Sequence, residues 1–201
     1  MLTAEECYQI FERSVLDYHQ HDNVDTPIQN PYDDGSFEFL LYKKNWIDTV
    51  QWHLEDIIRL PEIKPEEGIQ IKRRIDKSNQ DRTDTVEKMD DVFVQRFKNV
   101  SPNADARINS ETPAWLLDRM SILVLKIFHM KEQVERPDAG EEHRRKCTGK
   151  LATLMEQRAD MGLAFDELIE DVGNGDRRFK VYRQMKMYND ASLNPMLYQK
   201  K

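Results

Sequence analysis

The sequence predicts an all-α protein: a single domain spanning residues 1–201, built as an elongated up-and-down bundle of about six helices, two of them long. Three observations carry that reading. A third of the chain (33%) is Asp, Glu, Lys or Arg, and across long stretches apolar residues recur among these charges at spacings of three and four, the mark of helices with one wet face. Only 7 Gly and 8 Pro occur, too few for a loop-dominated or low-complexity chain. No segment alternates apolar and polar residues over the length of a strand, and no repeat recurs at a fixed period.

Thr3 and Glu6 form a capping box, each side chain satisfying an amide that the first helical turn leaves unpaired. Cys7, Phe11, Val15 and Tyr18 then follow at helical spacing, so the first helix is expected to run to about His19. Pro27, Pro31 and Gly35 break the chain. Asp34 or Ser36 then caps a second helix reaching about Leu60, where Pro61 and Pro65 mark a turn. Pro65 suits the first position of a third helix, because its missing amide would be unpaired there in any case, and Glu66 and Glu67 complement the helix dipole. No further proline interrupts before about Lys98. A rod of that length, roughly 50 Å at about 1.5 Å per residue, is stable only with partners covering its apolar stripe.

Thr112 and Pro113 start a fourth helix, the most apolar, running to about Val134. Asp138 with Glu141 is expected to open a fifth, stopped at Gly173. The basic segment from Asp176 to about Tyr188 is expected to form a short sixth helix, with Asn194 and Pro195 closing the ordered chain and residues 176–201 forming a basic helix and tail. Short connections after the second and fourth helices imply antiparallel neighbours.

Charge and cysteine content exclude several classes of function. The net charge of −7 argues against general nucleic-acid binding. Residues 1–64 are strongly acidic and residues 176–201 net basic. Docking of the basic tail, which interleaves its bases with Phe179, Tyr182 and Tyr188, onto the acidic half is expected over binding to RNA or lipid. Two cysteines far apart, Cys7 and Cys147, read as free thiols in a reducing compartment. With no basic segment followed by an apolar stretch at the start and no long apolar run, the expectation is a cytoplasmic protein without a membrane span.

Candidate chemistry lies where polar residues interrupt apolar rows. On the third helix, Ile71, Ile75, Val86, Met89 and Phe93 form one stripe, interrupted midway by Ser78, Asn79 and Arg82. A buried guanidinium without partners costs several kcal/mol, so Arg82 must find acids or reach water. The fourth helix is apolar over most of its surface, yet Asp118, Lys126 and His129 line one side, with Arg119 at the edge. On the second helix Asn45, Thr49, Trp52, His53 and Asp56 lie together, opposite Ile47, Val50, Leu54 and Ile58. Arg158 falls within the apolar row of the fifth.

These residues suggest a polar pocket between the second, third and fourth helices, built from His53, Asp56, Asn79, Arg82, Asp118, Arg119, Lys126 and His129, with Trp46 or Trp52 for a planar group. Arg and Lys in that pattern suit a phosphate, and His53 or His129 beside a carboxylate would serve as a general base. The carboxylates Glu55 and Asp56, and Glu87, Asp90 and Asp91, are the sort that would hold a divalent ion in a nucleotide hydrolase, although E-x-x-D spacing arises freely in so charged a chain. No pair among His19, His21, His53, His129 and His143 has a metal-motif spacing, and His19 and His21 are expected to be exposed at a helix end; no metal ligand is assigned and the cofactor is left open. Gly-rich phosphate loops and nucleophile elbows are absent.

Four runs, NWIDTVQWHLEDIIR (Asn45 to Arg59), IDKSNQDRTDTVEKMDD (Ile75 to Asp91), ETPAWLLDRMSILVLKIFHM (Glu111 to Met130) and KVYRQMKMYND (Lys180 to Asp190), resemble a family of helical bacterial proteins of about this length whose domain has no known function. The resemblance covers nearly the whole chain and supplies no catalytic residues. It implies a context, genes beside glycosyltransferases of cell-envelope polysaccharide synthesis, which is association and not mechanism. Two functional expectations result: a pocket for a phosphorylated or sugar-nucleotide ligand in envelope-glycan metabolism, and a non-enzymatic helical adaptor for a glycosyltransferase or another envelope enzyme. Metal-dependent nucleotide hydrolysis is a third, and self-association through the long helices stays open.

Overall fold

The computed structural model describes residues 2–185 and 190–198. Among these residues five helices make the bundle: α1 Ala4–His19, α2 Phe37–Ile57, α3 Pro65–Phe97, α4 Pro113–Glu135 and α5 Glu141–Asn174. Their starts follow local chemistry. Thr3 and Glu6 form the reciprocal capping box on α1, the Ser36 side chain accepts from the Phe39 amide on α2, and Thr112 accepts from the Trp115 amide on α4. Pro65 and Pro113 sit in the first turns of α3 and α4.

The fifth helix begins differently from expectation. Gly140 stands at the cap position and makes no side-chain bond, while Asp138 pairs instead with Arg136 at 3.1 Å. It also runs past Gly173, ending at Gly175, whose φ of 80° lies in the left-handed region that suits glycine. A Cβ there would lie 2.9 Å from the Ser101 carbonyl oxygen. Gly175→Ala is therefore expected to destabilise by about 1–3 kcal/mol, read as a lowered midpoint in urea, and Gly149→Ala, in open space on the same helix, by none.

The expected sixth helix is a correction. Arg177–Arg178 (β2) pairs in parallel with Arg107–Ile108 (β1), in the connection between α3 and α4. Residues 179–185 continue without helix, and the end of the expected helix, 186–189, lies outside the described residues. The bases alternate with aromatics at spacings a helix would tolerate, but the backbone of 176–178 finds its partners across the gap: the Arg107 amide donates to the Asp176 carbonyl and the Asn109 amide to that of Arg178. The sixth helix present is α6, Pro195–Tyr198, beginning where the ordered chain was expected to close.

Central α4, apolar nearly all round, touches α1, α2, α3 and α5. The main core gathers Phe11, Tyr18, Leu41, Tyr42, Val86, Met89, Phe93, Leu117, Met120 and Phe165, and a smaller one at the other end joins Leu54, Ile71 and Ile75. Between them the facing rows turn polar. No helix among the described residues is long and apolar enough to cross a membrane.

Candidate functional site

The polar belt between the two cores is an ion-pair cluster. Arg82 of α3 grips Asp118 of α4 with two hydrogen bonds, Nε to Oδ1 at 2.8 Å and Nη2 to Oδ2 at 2.5 Å. Lys44 of α2, with a fully buried side chain, donates to the Asp118 carbonyl at 2.9 Å, lies 2.9 Å from its Oδ1, and binds Asp48 one turn along its own helix. Ser121 Oγ donates to Asp48 at 2.6 Å, and Asn45 donates to Ser121. Two cations thus face two carboxylates, with hydroxyl and amide groups completing the bonds, as buried charge requires. Burial works against the ionised Asp118, but the Arg82 bonds and Lys44 override it and hold its carboxyl below the usual value. At Asp48 burial prevails and pushes the carboxyl up despite Lys44. One turn further, Gln51 donates to Asn79 at 3.0 Å.

Beside this belt three histidines from three helices meet. His19 ends α1, His53 lies on α2 and His129 on α4; one ring nitrogen from each falls within 4.8 Å of the other two. His53 Nε2 is 3.2 Å from His19 Nε2. Aromatic rings wall the group: Tyr18 stacks on His53 at 5.1 Å, Trp52 on His129 at 4.8 Å, and Phe128 lies 4.2 Å from His19. Burial and the neighbouring His19 push His53 below the usual imidazole value. His19 is thus half-buried at the junction, not exposed at a free helix end as expected. It follows Val15 by four residues, so the buried row of α1 already pointed at it.

Trp52 and Asp56 border two clefts. The smaller, about 360 Å³, is lined by Asp48, Gln51, Glu55, Arg59, Arg82, Ile122 and Leu125 besides these two. The larger, about 620 Å³, lies between α2, α4 and α5, where Lys126, His129 and Met130 face Lys150, Leu154 and Gln157. Among the described residues neither Lys126 nor Lys150 enters an ion pair. The two arginines that line the smaller cleft are engaged, Arg82 with Asp118 and Asp48 and Arg59 with Glu55.

Residues 38–181 match the family described as Protein of unknown function (DUF4254). The chain belongs to the DUF4254 family. No curated protein and no solved structure matches it. The family stretch opens at the start of α2 and includes the ion-pair cluster, His53, His129 and the lysine-rimmed cleft, whereas α1 and its His19 precede it.

The expected pocket residues therefore divide. His53 and His129 join the trio; Trp52, Asp56, Lys126 and His129 line the larger cleft; Arg82, Asp118 and Asn79 belong to the polar belt, Arg82 also lining the smaller cleft. Arg119 turns to Glu111 at 3.2 Å and borders a separate hollow with Lys126 and Asp160. Trp46 packs in the core against Tyr18 and Tyr42, away from either cleft. Arg158 lies 4.3 Å over the Tyr8 ring and pairs with Glu5 and Glu12. Within the basic tail, Arg183 pairs with Glu87 and Asp91 of α3, acids of the N-terminal half that lie beyond its most acidic stretch, residues 1–64. Those acids are not near Glu55 and Asp56: with Gln51 level with Asn79 and Asp48 with Arg82, Asp56 and Asp90 lie about 24 Å apart along the bundle at 1.5 Å per residue.

Lys44, Asp48, Ser121 and Lys150 were not singled out from sequence. A Lys and an Asp four apart on a helix read as a surface pair, and Ser121 and Lys150 carry no local signal.

Proposed function

We propose that the larger cleft binds a phosphorylated ligand with a planar group, a sugar nucleotide in the context the family resemblance implies. The observation that carries the reading is the pair Lys126 and Lys150, exposed on facing helices without an ion-pair partner among the described residues, beside the Trp52 and His129 rings in one cleft. Two ammonium groups suit a diphosphate as point charges, and the cleft volume lies within the range of small-molecule sites. Arg82, committed to two carboxylates and lining the smaller cleft, serves in this reading to hold α3 against α2 and α4 and not to bind the ligand. Asp56 is placed to accept from a ligand hydroxyl. With Nδ1 on Glu132 and Nε2 buried, His129 offers the ligand a ring face and not a base, so binding is proposed and turnover is not.

Thermal-shift and calorimetric titration with UDP-glucose, GDP-mannose, UDP and inorganic phosphate tests the reading. A nucleotide-dependent shift is expected, with Lys150→Ala and Lys126→Ala each weakening Kd roughly ten- to hundredfold, the cost of one charge-assisted contact. Trp52→Leu should weaken nucleotides more than phosphate. Absence of any shift across the panel in wild-type protein would defeat the reading.

One observation favours the adaptor as second reading. Of the 34 residues of α5 only Cys147, Gly162, Phe165, Leu168 and Val172 are buried, and Met155 and Leu163 stand exposed on it, leaving a long helix surface open to a partner. Stoichiometric co-purification of a glycosyltransferase, lost on Leu163→Asp, would support it.

A further inference from the structure

The histidine trio carries a chemistry independent of the cleft ligand. We propose that His19, His53 and His129 bind one divalent transition-metal ion of the Zn²⁺ type. The argument begins with protons. His19 Nδ1 lies 2.7 Å from the Val15 carbonyl oxygen, which can only accept, so Nδ1 carries the hydrogen and Nε2 presents its lone pair. His129 Nδ1 lies 2.8 Å from Glu132 Oε2, and the same logic leaves its Nε2 bare. That Nε2 is buried and has no hydrogen-bond partner among the described residues. Two imidazoles thus have their tautomers fixed by a carbonyl and a carboxylate, and one ring nitrogen from each lies within 4.8 Å of one on His53. A buried acceptor without a donor is unfavourable, and outer hydrogen bonds of this kind are how proteins orient metal-ligating histidines.

Geometry and surroundings fit the ion. Zn–N bonds of about 2.0–2.1 Å in tetrahedral array separate the nitrogens by about 3.3 Å. His53 and His19 already stand 3.2 Å apart, and the widest separation in the trio, within 4.8 Å, closes by small ring rotations. The walls of Tyr18, Trp52 and Phe128 restrict water on one side. On the other, Asp22, 64% exposed, brings Oδ1 to 3.7 Å from His53 Nε2, a carboxylate in position to supply or exchange with a fourth ligand. Its backbone, in the left-handed region with φ 47°, turns directly off the end of α1. An all-imidazole set selects Zn²⁺, Co²⁺, Ni²⁺ or Cu²⁺ over Mg²⁺ and Ca²⁺. The ion would tie α1 to the α2–α4 core of the family stretch, and three protein ligands leave a position for water or substrate.

Tag-free full chain, stripped with chelator and titrated with Zn²⁺ and Co²⁺ in the absence of nucleotide, tests this. One equivalent should bind, Co²⁺ giving the intense visible absorption of a tetrahedral nitrogen site and Mg²⁺ failing to compete. His129→Gln and His53→Gln should remove the site. Glu132→Gln, at an exposed acid that leaves the ligand set whole, should weaken Zn²⁺ ten- to hundredfold. Cys147→Ser is the counter-variant, because Cys147 Sγ and His143 Nε2 lie 3.4 Å apart and would gather zinc nonspecifically; it should leave the equivalent bound. Failure of the wild-type chain to bind one equivalent, or binding that survives His129→Gln in folded protein and vanishes with Cys147→Ser, overturns the proposal whatever the cleft binds.

Discussion

Asp118→Ala is expected to lower folding stability by about 3–5 kcal/mol, because it removes one partner from a buried charge cluster and leaves the others uncompensated. Without its carboxylate, Arg82 loses both short bonds and retains only Asp48 at 3.6 Å, while buried Lys44 keeps Asp48 and the backbone carbonyl. Equilibrium urea denaturation should show the loss, and for a chain of this size the melting temperature should fall by about 10 °C. The double variant Lys44→Met/Asp48→Asn provides the contrast. It takes one charge of each sign out of the interior and leaves the Arg82–Asp118 bidentate pair whole, so its cost should be smaller than that of the single change. A cost within 1 kcal/mol for Asp118→Ala would mean that the cluster is wet and its charges screened.

The same carboxylate fixes a pH dependence with a definite sign. Asp118 is held below its usual carboxylate value in the folded protein, so its stabilisation is fully present above about pH 4, the ordinary carboxylate range, and is lost as the pH falls through the lowered value. Asp48 works in the opposite direction: its raised value favours the protonated folded state, and ionising it with rising pH subtracts from stability. The stability gap between wild type and Asp118→Asn should therefore shrink on acidification below pH 4, while the gap for Asp48→Asn narrows or reverses with rising pH.

What the sequence made legible follows from how local each signal is. Thr3, Ser36, Pro65 and Pro113 act on amides within one turn, so the starts of α1 to α4 could be read from single residues. The polar interruption at Asn79, Arg82 and Asp118 was legible because a helix repeats every 3.6 residues and a buried face is fixed by its apolar neighbours. Its partners were not. Whether Lys44 and Asp48 lie in water or in the interior depends on α3 and α4 covering them, a fact of tertiary packing. The histidine trio draws one residue from each of α1, α2 and α4 and has no spacing to find, and Arg177–Arg178 is extended because Arg107–Ile108 lies beside it. The comparison with known families reaches the same limit, since it establishes membership and leaves the chemistry to the geometry.

Phe165→Ala should cost about 3–5 kcal/mol, the loss of a buried aromatic plus the cavity it leaves. Phe165 is fully buried, and its ring meets the edge of Phe93 at 6.5 Å, bringing α5 to the main core. Few other residues share that task. Around it, Gly162 permits close approach of α1, where a Cβ would lie 3.4 Å from the Tyr8 ring, and Ala4 donates its amide to Asp166 at 2.8 Å. Polar contacts at a partly exposed seam do not replace an aromatic side chain in the core, so the fifth helix should loosen before the rest. Leu163→Ala, 62% exposed two residues away, should fall within about 0.5 kcal/mol. Because α5 carries Lys150, Thr153, Leu154 and Gln157 of the larger cleft, amide exchange in Phe165→Ala should rise along α5 first, and the nucleotide affinity proposed for that cleft should fall with it. Metal affinity at the trio, which takes nothing from α5, should hold as long as the remaining four helices stay folded. Zinc and nucleotide binding lost in parallel would instead show that the bundle unfolds as one cooperative unit.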